Sequence, residues 1–290
     1  AHSGRFVPRR PRHTNLEKAM QVSELYPEDV ETFQRQHRER EYTLVDVRQP
    51  EEYREEHIPG ALHLPLPELE DRLDQLPRDR ELLFYCRSGR RSATAAALTA
   101  QSGQSFKALY NIQGGIAAWQ GGIVEQVPRV DRFDMSRGSG ELLRRAAAME
   151  KGAQRFYAVL AESNALSARL RQTAAELADL EGRHAQSVYT LLTRQEAIPD
   201  FDPFFASLDD TILEGGQDLG EALAQWTQQG DLTCLDFLEL ALDLENKAYD
   251  LYKTLAENTA QGQERSHFLT LAEQEKAHLR VLVNHLPECG

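Results

Sequence analysis

The key stretch of this chain is "LLFYCRSGRRSATAAAL" (residues 82–98), in which a short basic turn joins an apolar run to an alanine-rich run. The apolar run has the length and residue types of a buried strand, and the alanine-rich run is typical of a helix. Cys86 therefore lies where a strand ends, and three arginines follow it within five residues. A helix is expected to start near Ser92.

The turn after Cys86 has the features of an anion site. Backbone N–H groups in a tight turn and the start of a helix both carry partial positive charge. Arg87, Arg90 and Arg91 add full charges, and Gly89 permits the positive φ that such a turn needs. Each feature favours a thiolate, so a lowered pKa and a reactive nucleophile are expected at Cys86. The alternative is a buried strand-end cysteine beside surface arginines.

Length and composition limit the classes of function. A chain of 290 residues can hold two domains, each with its own core. The excess of 46 acidic over 33 basic residues, a formal charge of −13, argues against a nucleic-acid partner. No apolar run approaches the roughly 18 residues of a spanning helix, so no membrane partner is expected. Residues 1–14 are expected to be a disordered tail or the remnant of a purification tag.

The cysteines indicate a reducing compartment. Cys86, Cys234 and Cys289 are few and widely spaced, unlike a disulfide framework, and the chain contains no C-x-x-C. A cytoplasmic location is therefore expected, with a packing role for Cys234.

The chain changes character near residue 130. Strand-like and helix-like runs alternate over residues 15–125, which predicts an α/β domain with a mostly parallel sheet flanked by helices. Residues 126–140 are a glycine-containing linker that would let the two halves approach each other, or pair across a homodimer. Over residues 141–290, apolar residues recur at helical spacing, which predicts an all-α four-helix bundle with a long crossover. The predicted strands are 42–48, 81–86 and 108–114, and the predicted helices are 141–162, 166–195, 217–229, 232–258 and 261–285.

The first domain resembles the rhodanese family of sulfurtransferases. The segment "CRSGRRS" resembles the active-site loop of that family, "LVDVRQPEEYREEHIPGALHLP" (44–65) its first conserved block, and "NIQGGIAAW" (111–119) its closing segment. The resemblance implies that Cys86 takes a sulfane sulfur from thiosulfate, a persulfide or a polysulfide and passes it to a thiol- or cyanide-type acceptor. It also implies that residues 87–91 (Arg87, Ser88, Gly89, Arg90, Arg91) bind the sulfur and its donor, with Arg87 and Arg91 holding the anionic donor, while Asp46 and Arg48 brace the loop.

A cysteine phosphatase or an arsenate reductase is the main alternative for this loop. Those enzymes place arginine six positions after the cysteine, so that a longer loop encircles a tetrahedral oxyanion. Here that position holds Ser92, with Arg91 one residue earlier. The shorter loop fits a sulfur atom better than a phosphate.

The second half contains an internal repeat. The segments "EKGAQRFYAVLAE" (150–162) and "ENKAYDLYKTLAE" (245–257) share a first Glu, a Tyr at the eighth position and a final Leu-Ala-Glu. A Glu-x-x-His follows each of them, as "EGRH" (181–184) and "EKAH" (275–278). Each repeat is therefore a helical hairpin with one Glu on its first helix and Glu-x-x-His on its second.

The repeated residues predict a metal centre. Residues three apart share a helix face, so each Glu-x-x-His can reach one point, and two hairpins bring four Glu and two His together. This is the ligand set of ferritin-like di-iron and di-manganese proteins, and its hard donors suit iron or manganese. The half resembles the rubrerythrin-type branch of that family. The expected ligands of two iron ions, or of manganese, are Glu150, Glu181, His184, Glu245, Glu275 and His278.

Two features of this half leave the function open. Tyr157 and Tyr252 lie seven residues after a ligand Glu, so they either pack in the core or hydrogen-bond to the metal site. Many rubrerythrins carry a four-cysteine rubredoxin module, which this chain lacks, so turnover would need an external electron donor.

Three hypotheses follow. The first is a sulfurtransferase fused to a di-iron bundle with peroxidase or oxidase activity. The second is a peroxide- or oxygen-reducing protein to which the first domain supplies reducing sulfur. The third is a metal-binding or redox-sensing protein.

Overall fold

The computed structural model describes residues 20–128, 130, 133, 138–228, 233–259 and 262–289. The tail expected at residues 1–14 and part of the expected linker lie outside the described residues. No helix in the described part of the chain is both long and apolar enough to cross a membrane.

The N-terminal half is a five-stranded parallel sheet with helices on both faces. Its strands run in the order β1-β5-β4-β2-β3, and every neighbouring pair is parallel. The strands are β1 (Val22–Leu25), β2 (Tyr42–Asp46), β3 (Leu62–His63), β4 (Glu81–Tyr85) and β5 (Ala108–Ile112), and the helices are α1 (Pro27–Gln36), α2 (Pro50–Glu55) and α3 (Arg90–Gln101). The α/β architecture expected from the alternating runs is confirmed.

Each face of the sheet has its own core layer, because side chains alternate along a strand. Leu82 and Phe84 of β4 and the following Cys86 lie in the layer beneath α3, against its Ala95 and Ala96. The other layer lies beneath α1 and α2 and is formed by buried residues that include Val30, Tyr42, Leu44, Tyr53, Leu83 and Tyr85. Cys86 therefore belongs to the α3 side of the sheet.

The C-terminal half is the expected helical bundle. Helices α4 and α5 form one antiparallel hairpin and α8 and α9 form the second, with α6 and α7 on the crossover between them. Ser167 caps α5 by accepting a hydrogen bond from the Leu170 N–H, and a capping box of Thr233 and Asp236 starts α8. The helices are α4 (Ser139–Ala161), α5 (Ala168–Leu192), α6 (Phe201–Ser207), α7 (Leu219–Gln228), α8 (Cys234–Asn258) and α9 (Gln263–His285).

A disulfide corrects one expectation from the sequence. Cys234 and Cys289 are bonded to each other, although their spacing does not resemble a disulfide framework. Cys234 begins α8 and Cys289 follows α9, so the antiparallel hairpin brings its two ends together. Closing a loop over a separation of 55 residues stabilises the fold by about 4 kcal/mol in the chain-entropy model. Among the described residues, Cys86 is the free cysteine.

The two halves contact each other through α8 and α9. The Asp250 carboxylate lies 3.0 Å from His57 Nε2 and accepts a 2.7 Å hydrogen bond from the Gly60 N–H. His57 Nδ1 lies 2.9 Å from the Tyr53 carbonyl oxygen, so both ring nitrogens face acceptors. His57 and Asp250 are both buried, so this contact is shielded from water.

A second buried contact centres on Glu39, just before β2. Its carboxylate lies 3.1 Å from Lys253 Nζ and 2.6 Å from Lys276 Nζ. It also accepts hydrogen bonds from Tyr42 and Tyr249, at 2.7 and 2.8 Å. Burial alone would raise the pKa of Glu39, but the two lysines and the hydrogen bonds outweigh it and lower the pKa to about 2. The interface is therefore ionic as well as buried.

The contact at Asp250 predicts a large loss of stability on truncation. Asp250→Ala leaves the buried Gly60 N–H and His57 Nε2 without acceptors, which should lower the free energy of unfolding by about 2–4 kcal/mol. Urea denaturation followed by circular dichroism measures this loss.

Asp243→Ala is the matched control on the same helix. Asp243 is half-buried and pairs with Lys247 one turn away at the protein surface, so its loss should cost less than about 0.5 kcal/mol. Equal effects of the two substitutions would contradict a stabilising role for the buried contact.

Candidate functional site

The turn after β4 forms a cradle around the sulfur of Cys86. Gly89 adopts a φ of +88° and ends the turn, so α3 begins at Arg90, two residues before the expected start. The Gly89 N–H donates to Cys86 Sγ at 3.2 Å, and Ser92 Oγ lies 3.6 Å from the same sulfur. Burial raises the pKa of Cys86, but hydrogen bonds from the Ser92 side chain and from backbone N–H groups outweigh it and lower the pKa.

Gly114 and Gly115, which follow β5, let the next segment contact the backbone of this cradle. The Ile116 N–H donates to the Cys86 carbonyl oxygen at 2.8 Å, and the Ala117 N–H donates to that of Arg87 at 3.1 Å. A Cβ atom on Gly115 would lie 2.0 Å from the Cys86 carbonyl oxygen. Only glycine permits this approach.

The charged residues predicted around the turn have different environments. The side chains of Arg87 and Arg90 are exposed, as is Ser88, whereas Gly89 is buried. Arg91 forms a two-pronged ion pair with Glu52 of α2, at 2.6 and 2.7 Å.

Asp46 and Arg48 form the pair that the sequence predicts. They are buried, with 2.7 Å between Arg48 Nη2 and Asp46 Oδ2. Arg48 also donates to the Glu56 carbonyl oxygen at 2.6 Å, which ties the end of β2 to the end of α2.

Sequence reasoning missed a polar chain behind the sulfur. Ser92 Oγ donates to Asn111 Oδ1 at 2.7 Å, and Asn111 Nδ2 donates to Glu24 at 2.8 Å. Asn111 lies on β5, the neighbour of β4, where a fully buried amide interrupts an apolar strand. That interruption is the signal that could have revealed the residue, because a buried amide needs partners.

The second constellation lies in the core of the bundle. The six predicted ligands come from four helices, namely Glu150 of α4, Glu181 and His184 of α5, Glu245 of α8, and Glu275 and His278 of α9. All six are buried. One ligand atom from each residue of the two Glu-x-x-His motifs lies within 4.8 Å of the others.

The arrangement has twofold pseudo-symmetry. His184 Nδ1 lies 3.4 Å from Glu181 and 3.2 Å from Glu275, and His278 Nδ1 lies 3.2 and 3.4 Å from the same two carboxylates. Glu150 lies 3.2 Å from His184 and Glu245 lies 3.0 Å from His278. Glu181 and Glu275 are therefore central, and Glu150 and Glu245 flank them.

The two tyrosines of the repeat cross between the hairpins. Tyr157 on α4 donates to Glu245 on α8, and Tyr252 on α8 donates to Glu150 on α4, both at 2.6 Å. Both alternatives left open by the sequence are observed, because the two tyrosines pack in the apolar core and also hydrogen-bond to the cluster. Each hairpin thereby positions a carboxylate of the other.

The donor set fits a pair of metal ions. Both oxygens of Glu181 and Glu275 are buried without a well-aligned hydrogen bond, and buried carboxylates in that state are costly unless a cation compensates them. Burial raises the pKa of Glu245 to about 8. Burial lowers the pKa values of His184 and His278, but the surrounding carboxylates outweigh it and raise them. Oxygen and imidazole ligands of this kind suit iron or manganese.

Comparisons with known proteins agree with both halves. A family model for the rhodanese-like domain matches residues 29–121, and a rubrerythrin model matches residues 236–289. A sulfurtransferase from Allochromatium vinosum is 43% identical over 76 residues, which are 26% of this chain and 69% of that protein. The thiosulfate sulfurtransferase GlpE from Coxiella burnetii is 32% identical over 83 residues, covering 29% of this chain and 76% of the relative.

One solved structure is also similar to this chain. A candidate ferritin-like diiron-carboxylate protein from Thermotoga maritima covers 53% of this chain and 97% of its own, with 24% identity and a TM-score of 0.37. The sequence relatives, the parallel sheet and the cradle agree on the first half, and the rubrerythrin match and the buried cluster agree on the second. This chain belongs to the rhodanese-like sulfurtransferase family, and the helical bundle on its C-terminal side matches the rubrerythrin model over residues 236–289.

Proposed function

We propose that the chain is a sulfurtransferase that moves sulfane sulfur from thiosulfate, a persulfide or a polysulfide through a persulfide on Cys86. The observation that carries the proposal is the cradle, in which a thiol of lowered pKa accepts the Gly89 N–H and lies beside Ser92. The named activities of the sulfurtransferase relatives support the same reaction class. The acceptor would be a thiol- or cyanide-type nucleophile.

The proposed reaction is a redox-neutral transfer in two displacements. The Cys86 thiolate attacks the outer sulfur of the donor, and the donor S–S bond breaks with its electron pair leaving on sulfite or on a thiolate. The backbone N–H groups of residues 87–91 would hold the negative charge of the sulfur bound to Cys86. The acceptor then attacks that outer sulfur and releases the Cys86 thiolate.

The same geometry disfavours phosphatase chemistry. Arg91 lies in the first turn of α3 and is paired with Glu52, so the turn does not close around a tetrahedral oxyanion. Arg87 and Arg90 are exposed and would attract the anionic donor, while the Asp46–Arg48 pair would brace the loop.

For the bundle, we propose two iron ions, with manganese as the alternative, bound by the six buried Glu and His residues. The central Glu181 and Glu275, the flanking Glu150 and Glu245, and the two histidines would hold these ions. When bound, such a pair supplies redox chemistry toward peroxide or oxygen, with electrons from an external donor. The hydrogen bonds of Tyr157 and Tyr252 would fix the orientation of the flanking carboxylates. Metal storage or redox sensing is the alternative role of the same site.

Loss of the nucleophile tests the first proposal. Cys86→Ser should reduce sulfur transfer from thiosulfate to cyanide to background, because the hydroxyl is not ionised at neutral pH and cannot form the persulfide. Thiocyanate formation measures this, and circular dichroism and metal content should match the wild type. Activity above a few per cent of wild type would contradict the proposed role of Cys86.

The pH dependence of Cys86 tests the contribution of Ser92. The thiolate is the reactive form, so a lowered pKa keeps Cys86 reactive at lower pH. The single proton of the Ser92 hydroxyl lies toward Asn111 Oδ1 beside the neutral thiol and can turn toward the sulfur when the thiolate forms. Ser92→Ala removes that bond to the thiolate, which should raise the pKa of Cys86 and shift the pH profile of iodoacetamide alkylation upward. Thr94→Ala, which removes an exposed hydroxyl from the same helix, is the control and should leave the profile in place. Equal profiles for Ser92→Ala and wild type would exclude the role of Ser92.

Metal analysis tests the second proposal. Protein purified without chelators should contain about two iron or manganese ions per chain. Glu181→Ala/Glu275→Ala should lose them, because both central carboxylates are removed, whereas Glu176→Ala on the exposed side of α5 should retain them. Elemental analysis gives the result, and zinc alone or undiminished metal in the double variant would refute the proposed site.

A further inference from the structure

We propose that Glu52 sets the donor preference of Cys86 by occupying Arg91, so that persulfide donors with an uncharged R–S–SH group are favoured over the thiosulfate dianion. The inference rests on the proposed sulfur transfer. It names the class of donor, low-molecular-weight persulfides of the form R–S–SH.

The first observation is the geometry of the pair. Both terminal nitrogens of Arg91 donate to the two oxygens of Glu52, at 2.6 and 2.7 Å. A guanidinium binds a sulfonate or sulfate group through these same parallel donors. The hydrogen bonds from Arg91 lower the pKa of Glu52 to about 2, so the carboxylate is ionised at neutral pH. An anionic donor must therefore compete with an existing charge for Arg91.

The second observation is that Glu52 is held in place. It lies in the first turn of α2, where the Gln49 N–H donates to Glu52 Oε2 at 3.1 Å and forms part of a capping box. The pair is only partly open to solvent, with 34% of the Arg91 side chain and 31% of the Glu52 side chain exposed. Glu52 is therefore a fixed part of the cradle wall.

A second carboxylate lies on the opposite side of the cradle. Glu24 accepts hydrogen bonds from Asn111 at 2.8 Å and from Gln113 at 2.7 Å, and Asn111 in turn accepts from Ser92 beside the sulfur. Because Arg91 is paired with Glu52 and also interacts with the Cys86 sulfur, Arg87 and Arg90 are the cations of the loop left to receive a donor. The loop thus presents less positive charge than its three arginines indicate.

The charge of the donor then decides the cost of binding. Attack on thiosulfate gives Cys86–S–S⁻ and sulfite, so two negative charges enter with the donor and two leave with sulfite. Attack on R–S–SH gives Cys86–S–SH and R–S⁻, so the proton stays on the transferred sulfur and one negative charge leaves. The dianion needs the guanidinium that Glu52 occupies, whereas the persulfide reacts without it.

Neutralising Glu52 tests this inference. Glu52→Gln removes the charge and keeps the size and the capping interaction of the side chain. The ratio of kcat/KM for thiosulfate to kcat/KM for glutathione persulfide should rise about fivefold in this variant, the effect of about 1 kcal/mol. Glu51→Gln is the matched control, because Glu51 pairs with Arg54 and should leave the ratio unchanged. An unchanged or lower ratio in Glu52→Gln would overturn the inference.

A binding measurement separates this inference from the proposed function. Sulfate is an unreactive dianion, and its occupation of the cradle should protect Cys86 from iodoacetamide. The sulfate concentration that gives half-maximal protection should fall about fivefold in Glu52→Gln, which corresponds to the same change of about 1 kcal/mol in binding free energy. If the wild type transfers sulfur from neither donor, the proposed function fails, while the protection shift still reports on Glu52. Equal protection in the variant and the wild type refutes the role of Glu52.

Discussion

The burial of four carboxylates and two imidazoles in one bundle core is the constraint on which the C-terminal half depends. Burial away from water destabilises the charged form of each of these side chains. Only pairing between them or a bound cation compensates this desolvation cost. The helices meet this requirement with twofold pseudo-symmetry, in which Glu181 and Glu275 each face both histidines. The crossed bonds of Tyr157 and Tyr252 then make each hairpin dependent on the other. The bundle core is thus a polar site enclosed by an apolar shell.

Helix α8 extends this dependence to the sheet. Glu245 and Tyr252 belong to the cluster, while Tyr249, Asp250 and Lys253 contact the first domain, so the helix is buried on two sides. The bundle contacts the first domain mainly at residues 34–60, on the α1 and α2 side of the sheet, and also at Arg80. Cys86 belongs to the layer beneath α3, on the other side. Cys86 and Tyr42, which contacts Lys276 of the bundle, therefore lie in different core layers of the first domain.

Local periodicity and the internal repeat allowed the sheet, the four long helices and the six clustered residues to be predicted, because each signal lies within one helix, strand or turn. The start of α3 was misplaced by two residues because the positive φ of Gly89, expected only to shape the turn, also starts the helix there. Glu52, Asn111 and the Cys234–Cys289 bond could not be predicted in this way. Each of these contacts joins residues that are far apart in the sequence, and local periodicity carries no information on which distant segments pack together.

The ionic character of the domain interface fixes its orientation. An apolar interface tolerates sliding, whereas the Glu39 carboxylate is compensated only where Lys253, Lys276 and two tyrosines meet it together. A shift of one helical turn would leave these charges buried and unpaired. The docked arrangement is therefore strongly preferred, and it leaves the basic side chains of Arg87 and Arg90 exposed to solvent. In the proposed transfer, donors and acceptors of sulfur would therefore reach Cys86 from solution. Their charge, set against Arg87, Arg90 and the Glu52–Arg91 pair, would govern how they bind.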